Sequence, residues 1–348
     1  MIQRVGPVFV VLFFAIGTSI SLGQSEVSPM LLRTTGEAQI DSFRLNAKGF
    51  REIAGDQVFY LQASPRRYVA IELDGQSHPA LDLDQVPPTD AMNPKDLYLI
   101  DMTPDPRGGV LGVVRWNETP AKIRTGVVRF DRDGDYDGLV WLDTDLSVTH
   151  AVEFNSSGNF LVVGYDEHGK IKVALFDFRG FVVNPAVLSY GEAVAAGSKS
   201  AAGQVTPAME RAMREAGTIQ MASATDDSVY LLNVQRGRKI LRVQSNGKVT
   251  EMKLGGPSQD TMPMELVVSP SYLYLGEAIL DKGKRVGPLK KFSISVYDRD
   301  NGTLDASYEA MTPLGGTFVV ASPRDFYFLG TKVPPGGAVN FSLIRAQP

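Results

Sequence analysis

The sequence predicts an all-β fold, a six-bladed β-propeller of four-stranded antiparallel blades. Three observations predict it. From about residue 40 onward, short runs of Val, Ile, Leu, Tyr and Phe alternate with clusters of Gly, Pro, Asn and Asp. One unit recurs six times, an apolar strand, a tight turn and a second strand rich in aromatics. A second hairpin follows each of the first five units, with Gly in its turn. Two hairpins make a four-stranded meander, and six meanders at roughly 45–65 residue spacing match the period of propeller blades.

The first unit reads Phe50–Ala54, turn Gly55-Asp56, Val58–Leu61. The second reads Leu97–Met102, turn Pro104–Gly109, Val110–Val114. The third is His150–Phe154, turn Ser156–Gly158, Phe160–Val163. The fourth is Thr218–Ala222, turn Asp226-Asp227, Val229–Leu232. The fifth is Met264–Val268, turn Ser269-Pro270, Tyr272–Leu275, and the sixth is Thr317–Val320, turn Ser322-Pro323, Phe326–Leu329. The second hairpins turn at Asp74-Gly75, Asp133-Gly134, Arg179-Gly180, Asn246-Gly247 and Asn301-Gly302. Asp-Gly and Asn-Gly supply the positive φ of tight hairpins.

The sixth unit is followed by one strand, Val339–Ala346, before the chain ends. Its missing strand is expected from Ala38–Leu45, so that strands from both termini close the ring and leave no open edge. Ile40, Phe43 and Leu45 are expected near Phe341, Leu343 and Ile344. The domain layout is then a signal peptide at 1–23, a linker at 24–38 and the propeller at 39–348. The period breaks at 190–216, where a Gly/Ala/Ser-rich stretch precedes Pro207–Ala216, a run of helix formers with Pro at its first turn. A short inserted helix is expected there, on a segment long enough to act as a lid or docking element.

Met1–Arg4 is a short positive start, Val5–Ile20 is nearly all apolar, and Ser21-Leu22-Gly23 places small residues at a cleavage site. That is the pattern of a secretory signal peptide, and the apolar core falls short of the ~20 residues needed to span a bilayer. No later stretch reaches spanning length. Export without a single cysteine points to a bacterial host and a periplasmic or extracellular site. The missing cysteine also excludes a disulfide scaffold, a Cys-based zinc site and a thiol nucleophile. With 35 Lys+Arg against 39 Asp+Glu the chain carries a net charge of −4, with no basic run, which argues against a nucleic-acid partner. A monomer is expected.

Residues 39–348 resemble the broad TolB-like, NHL-like group of exported six-bladed propellers. The resemblance lies in repeat form, in the Ser-Pro turns at 269–270 and 322–323 and the Tyr-Leu-Tyr-Leu and Phe-Tyr-Phe-Leu strands after them. That group includes binding scaffolds and metal-dependent lactonases, so the resemblance implies a fold without an activity.

Two constellations could carry chemistry. Asp133-x-Asp135-x-Asp137-Gly138 matches the first half of a calcium loop, where alternate carboxylates and a Gly wrap a hard cation. Its second half departs, with Trp141 at position nine and Thr144 at position twelve, and a hairpin turn explains the same residues. The second constellation takes one acid from each of three first strands, Asp101, Glu153 and Glu265, at similar registers facing a central axis. His150 shares a strand with Glu153 and is placed to join them as a metal ligand. The alternative is a set of solvated or ion-paired acids. The three histidines form no zinc pattern, and there is no nucleophile elbow, phosphate loop or dinucleotide fingerprint. Trp116 and Trp141 read as packing residues. The sequence therefore favours a non-catalytic exported scaffold presenting a loop face to a protein or envelope ligand. A lactonase-like metal-dependent hydrolase is the alternative, and a calcium-stabilised structural module the third reading.

Overall fold

The computed structural model describes residues 27–40, 52–55, 58–89, 91–119, 122–190, 206–255, 261–279, 291–310, 317–332 and 340–348. The signal peptide expected at 1–23 lies outside them, as do Phe43 and Leu45. Among the described residues no helix is long and apolar enough to cross a membrane.

Strand β1 (Met30–Gln39) comes first. A meander follows of β2 (Glu52–Gly55), β3 (Val58–Ser64), β4 (Arg67–Glu72) and β5 (Ser77–Asp82). The next is β6 (Leu97–Pro104), β7 (Val110–Thr119), β8 (Lys122–Phe130) and β9 (Tyr136–Leu142). The third is β10 (Ser147–Glu153), β11 (Phe160–Tyr165), β12 (Ile171–Phe176) and β13 (Val182–Tyr190). Helix α1 (Pro207–Ala216) leads into β14 (Ile219–Ala224), β15 (Ser228–Asn233), β16 (Ile240–Gln244) and β17 (Val249–Met252). Then come β18 (Thr261–Val268), β19 (Tyr272–Ile279), β20 (Lys291–Asp298) and β21 (Leu304–Ala310), and last β22 (Phe318–Ser322), β23 (Asp325–Lys332) and β24 (Asn340–Gln347).

The fold is all-β with propeller-like antiparallel blades, but among the described residues the sheets number five instead of the expected six. Four are discrete four-stranded meanders, and the fifth has eight strands in the order β18-β19-β20-β21-β1-β24-β23-β22. The fusion is made by β1. Its first residues pair parallel to β21 (Met30↔Tyr308 to Leu32↔Ala310), and the rest pairs antiparallel to β24.

The closing strand also differs from its expected place. Ile40 meets Phe341 as anticipated, its N–H donating to the Phe341 carbonyl at 3.1 Å. From there the partner runs onward through Ser342 to Gln347, and antiparallel pairing sends the first strand backward along Gln39 to Arg33. The closing strand therefore occupies the stretch read as a linker.

Each sheet packs on the next through period-2 side chains, and the middle strands are buried on both faces. In β7, Val110 and Val114 face the first sheet while Leu111 and Val113 face the third. In β11, Phe160 and Val162 face backward, Leu161 and Val163 forward. In β15, Val229 and Leu231 pack toward the third sheet, Tyr230 and Leu232 toward β18 and β19. Trp116 belongs to the core between the first two sheets, with Trp141 against it at 5.7 Å between ring centroids. The last core joins Phe341 and Leu343 back to Phe59, Leu61 and Ile71. First strands adjoin in the same cyclic order, β2 to β6, β10, β14, β18, β22 and back to β2.

The expected helix forms over Pro207–Ala216. Thr206 caps it, its hydroxyl accepting from the Met209 N–H. Ala212 and Ala216 are buried against the third and fourth sheets. At its start Ala208 lies so close to Gly169, which has φ +74°, that a Cβ there would meet Ala208 carbon at 2.7 Å. Glu215 accepts from Asn233 Nδ2 at 3.0 Å and Arg236 Nε at 2.8 Å. The helix is thus fastened to two sheets as a strut. The remainder of the insertion, 191–205, lies outside the described residues.

Candidate functional site

In an antiparallel meander the first and third turns share one edge. Contacts between turns of neighbouring sheets gather these edges on one face of the ring, here the turn face. Asp227 of the β14–β15 turn accepts from the Ser156 and Ser157 N–H groups of the β10–β11 turn, at 2.7 and 3.3 Å. Asn155 Nδ2 donates to the Thr225 carbonyl. Asp227 is a non-Gly residue with φ +58°, a conformation Asp tolerates in turns. Burial works to raise its carboxyl pKa, but bonds from Ser245, Ser156 and Ser157 outweigh it and hold the group below its ordinary range.

The inner strands are cross-linked by polar side chains. Thr103 Oγ1 donates to the Ala151 carbonyl at 2.7 Å, and Ser223 Oγ to the Glu153 carbonyl at 2.8 Å. Gln220 donates to the Met264 carbonyl and accepts from the Leu266 N–H at 2.8 Å.

Two of the three acids anticipated on the axis, Asp101 and Glu153, belong to this scheme. Asp101, buried on β6, pairs with His150 Nδ1 on β10. His150 Nε2 lies 3.0 Å from the Ala216 carbonyl at the C-terminal end of α1. Glu153, three residues along β10, also pairs with the second sheet. It is fully buried, and Arg129 Nε donates to its Oε2 at 2.9 Å. Its Oε1 lies 2.9 Å from Arg107 Nη2, an ion pair not aligned as a hydrogen bond. Asp105 completes the group, 3.4 Å from Arg107 and 3.9 Å from Arg129. Burial pushes the Glu153 carboxyl above its ordinary range, and Arg129 pulls it back only in part. Glu265 is half-buried on β18, opposite Gly276. Among the described residues no three His, Asp or Glu side chains gather as a metal ion requires. Asp101 and Glu153 are not brought together, because each turns to a basic partner on the neighbouring sheet.

The acidic motif at 133–137 lies on the turn face, at the hairpin between β8 and β9. Asp131, outside the anticipated ligand set, organises it by accepting from the N–H groups of Asp133 and Asp135 at 3.0 and 2.9 Å. The same arrangement recurs at Asp166 and Asp177. Gly134 has φ +83°, and a Cβ there would meet the Pro79 carbonyl oxygen at 2.5 Å, so the turn is wedged against the first sheet. Asp133, Asp135 and Asp137 are exposed.

Sequence reasoning missed two openings on the turn face. One, of about 360 Å³, lies between the first two sheets and includes His78, Asp105, Arg107 and Arg132. The other, of about 520 Å³, lies among the β14–β15, β18–β19 and β22–β23 turns, with Thr225, Ser269, Tyr272, Arg299, Val320 and Ser322 on its walls. The Ser-Pro turns at 269–270 and 322–323, quoted above only as repeat marks, form two of its sides.

No protein-family model matches the sequence, and no curated protein is similar to it. Solved structures share its outline. One is a protein of unknown function from Dyadobacter fermentans DSM 18053, at 12% identity and TM-score 0.48, covering 91% of this chain and 99% of that one. A putative TolB from Agrobacterium tumefaciens has 14% identity and TM-score 0.42, over 86% of this chain and 91% of that one. An oligogalacturonate lyase in complex with manganese has 11% identity and TM-score 0.43, over 86% and 76%. At these values the likenesses carry no inference about activity or ligand.

Proposed function

We propose that this protein is an exported six-bladed propeller that acts as a non-catalytic scaffold, presenting its turn face to a protein or cell-envelope ligand in the periplasm or outside the cell. The blade count treats the eight-stranded sheet as two blades stitched by β1. It is supported by the closed cycle of first strands and by a core between each neighbouring pair. Export rests on the pattern of Met1–Gly23.

One observation carries the functional reading. Asp101, His150 and Glu153, inner-strand groups that a catalytic site would use, are spent between blades. Both ring nitrogens of His150 face acceptors, the Asp101 carboxylate and the Ala216 carbonyl, so neither is open to a substrate proton. Glu153 is enclosed by Arg129 and Arg107. The lactonase-like alternative needs these same acids at the axis.

The test is site-directed photo-crosslinking in envelope preparations of the producing cells. Crosslinkers at Thr225 and Ser271 on the turn face are expected to give discrete adducts, and one at the exposed Ile123 on β8 none. Adducts independent of position would overturn the reading. So would lactone hydrolysis by the purified chain that is lost in His150→Gln.

A further inference from the structure

One hairpin on the turn face carries large apolar side chains outward. Among the described residues nine such side chains are exposed, and four of them fall within six residues of the β12–β13 hairpin. They are Phe178 at 52%, Phe181 at 59%, Val182 at 41% and Val183 at 57% exposure. The turn itself does not call for them. It is closed by two backbone bonds, from the first N–H to the fifth carbonyl and from the fourth N–H to the first carbonyl. The same two bonds close the matching turns of the other discrete sheets, at 72–76, 131–135 and 244–248. At the second and fifth positions those turns carry Leu73 and Gln76, Arg132 and Asp135, and Ser245 and Lys248. Of the four turns, the one at 177–181 alone places an aromatic ring at both.

The tip is fixed from below. Asp177 Oδ1 accepts from the Arg179 and Phe181 N–H groups, both at 2.9 Å. Gly180 has φ +89°, a Cβ there would run into the Trp141 carbonyl oxygen, and its own carbonyl accepts from the Asp143 N–H at 2.9 Å. The rings are therefore presented on an ordered backbone, which docking does not have to order again. They line neither of the two openings on this face, so they form a projection, unlike a concave small-ligand site. Two half-exposed Phe side chains offer roughly 150–250 Å² between them. With the smaller contribution of the two valines this still falls short of the about 800 Å² per partner that a stable protein–protein contact buries. From Phe178 to Tyr190 there is no acid and one charge, the exposed Arg179, which lies 5.0 Å over the Phe178 ring. A projecting apolar tip with one cation beside it matches a lipid surface. The acyl boundary takes the rings, the lipid phosphates take the guanidinium, and a fluid partner needs no matching groove.

We propose that the β12–β13 hairpin docks the protein on a phospholipid bilayer. Phe178 and Phe181 enter the boundary between headgroups and acyl chains, and Arg179 meets a lipid phosphate. The proposal rests on the reading of the turn face as a binding face and names the envelope component it meets.

The experiment is cosedimentation with vesicles of phosphatidylethanolamine and a minority of phosphatidylglycerol. It uses the chain from Gln24 to Pro348, which holds every described residue and lacks the apolar segment at 5–20. Binding at millimolar lipid is expected. The double variant Phe178→Ser with Phe181→Gln is expected to weaken it by about tenfold or more, and Arg179→Gln by about fivefold. Ser245 and Gln76 already occupy the matching positions of sister turns, so the double variant keeps the turn, and an unchanged thermal midpoint checks its fold. Should it fail to fold, Phe181→Trp carries the test. Its added emission, read against the native chain with Trp116 and Trp141, is expected to shift to the blue on vesicles and to be quenched by lipids brominated on their acyl chains. The proposal is overturned if the native chain does not bind the vesicles, if the double variant binds as tightly, or if the indole at 181 stays unquenched. Self-association lost in the double variant, without vesicle binding, would give the tip to a second copy and equally overturn it. Turn-face protein crosslinks that persist while vesicle binding fails would leave the face reading intact and remove this one.

Discussion

Two junctions on the turn face use the same materials to opposite ends. Between the second and third sheets, Asp105 and Glu153 meet Arg107 and Arg129, two acids against two guanidinium groups, with Glu153 fully buried. Between the fourth and fifth, the partly exposed Asp226 meets Arg242 and Arg299. The first set is charge-balanced and packed under the Phe160 ring, with Arg129 5.3 Å from its centroid. The second leaves two buried donors without a hydrogen-bond partner and borders the 520 Å³ opening, while in the first only Glu153 Oε1 lacks one and Asp105 and Arg107 line the smaller opening. The first buries its carboxylate between two guanidinium groups, whereas the second keeps its carboxylate partly exposed, so the same charges differ in how much water shares them.

The largest expected effect breaks this comparison from its closed side. Glu153→Ala leaves Arg129, 18% exposed, facing Asp105 only at 3.9 Å. Removing one partner of a buried pair costs about 3–5 kcal/mol. Asp226→Ala removes an acid whose side chain is 25% exposed and whose partner Arg242 is 29% exposed, so water takes over part of its role. Its expected cost is about 1 kcal/mol or less. Urea unfolding of both variants measures the difference, and equal losses would show that the two junctions are energetically alike.

Much of the frame behind this contrast was legible in the sequence. The six first hairpins were read from alternation, aromatic second strands and turn residues, and Val229–Leu232 or Phe160–Val163 could hardly form anything else when buried on both faces. The insertion helix was announced by Pro207 and the alanines after it. Strand β1 was not legible, because an outer strand reading Arg33-Thr34-Thr35-Gly36-Glu37 has no apolar alternation to betray it. Nor were the partners of the inner acids. Asp101 and Glu153 could be placed on inner strands from local pattern, but His150 and Arg129 reach them across 49 and 24 residues. Those pairings depend on register between sheets, which one sequence does not display. Arg299 gave one faint signal, a cation inside a hairpin turn otherwise made of Asp, Asn and Gly.

A pH titration sharpens the comparison with an intermediate effect. The Glu153 carboxyl is raised above its ordinary value of 4.5 by burial. The native state therefore holds the proton more tightly than the unfolded chain does. The stability this group contributes is fully present below pH 4.5 and is lost as pH rises through the raised value. Asp227 and Asp166 have the opposite sign. Both are lowered from 3.8, so their contribution is present above that value and is lost as pH falls through the lowered one. Unfolding free energies of Glu153→Gln are expected to start lower than native but to decline less between pH 4.5 and neutrality. Asp227→Asn is expected to flatten the acid side instead. Parallel curves for native chain and Glu153→Gln would contradict the raised carboxyl and with it the burial that raises it.

The smallest expected effect concerns the third acidic feature of the same face, the hairpin at 131–138. A calcium loop must bring its twelfth position back to the ion. Here the chain leaves Asp135 into β9, Tyr136–Leu142, and seven extended residues at about 3.3 Å each carry Thr144 more than ~20 Å away. Asp131, which holds the turn, already accepts two backbone N–H groups on one oxygen, as Asp166 and Asp177 do in turns without the acidic run. Wedged on Pro79 through Gly134, the loop has its backbone fixed before any ion arrives. Thermal unfolding of the chain from Gln24 to Pro348 is therefore expected to show the same midpoint with millimolar calcium and with chelator. A ligand that binds only the folded state raises the midpoint by mass action. A calcium-dependent rise abolished by Asp133→Asn and Asp135→Asn would establish a site at this turn. A rise that survives both substitutions would move the search to the inner acids, where displacing Arg129 from Glu153 is the cost any cation has to overcome.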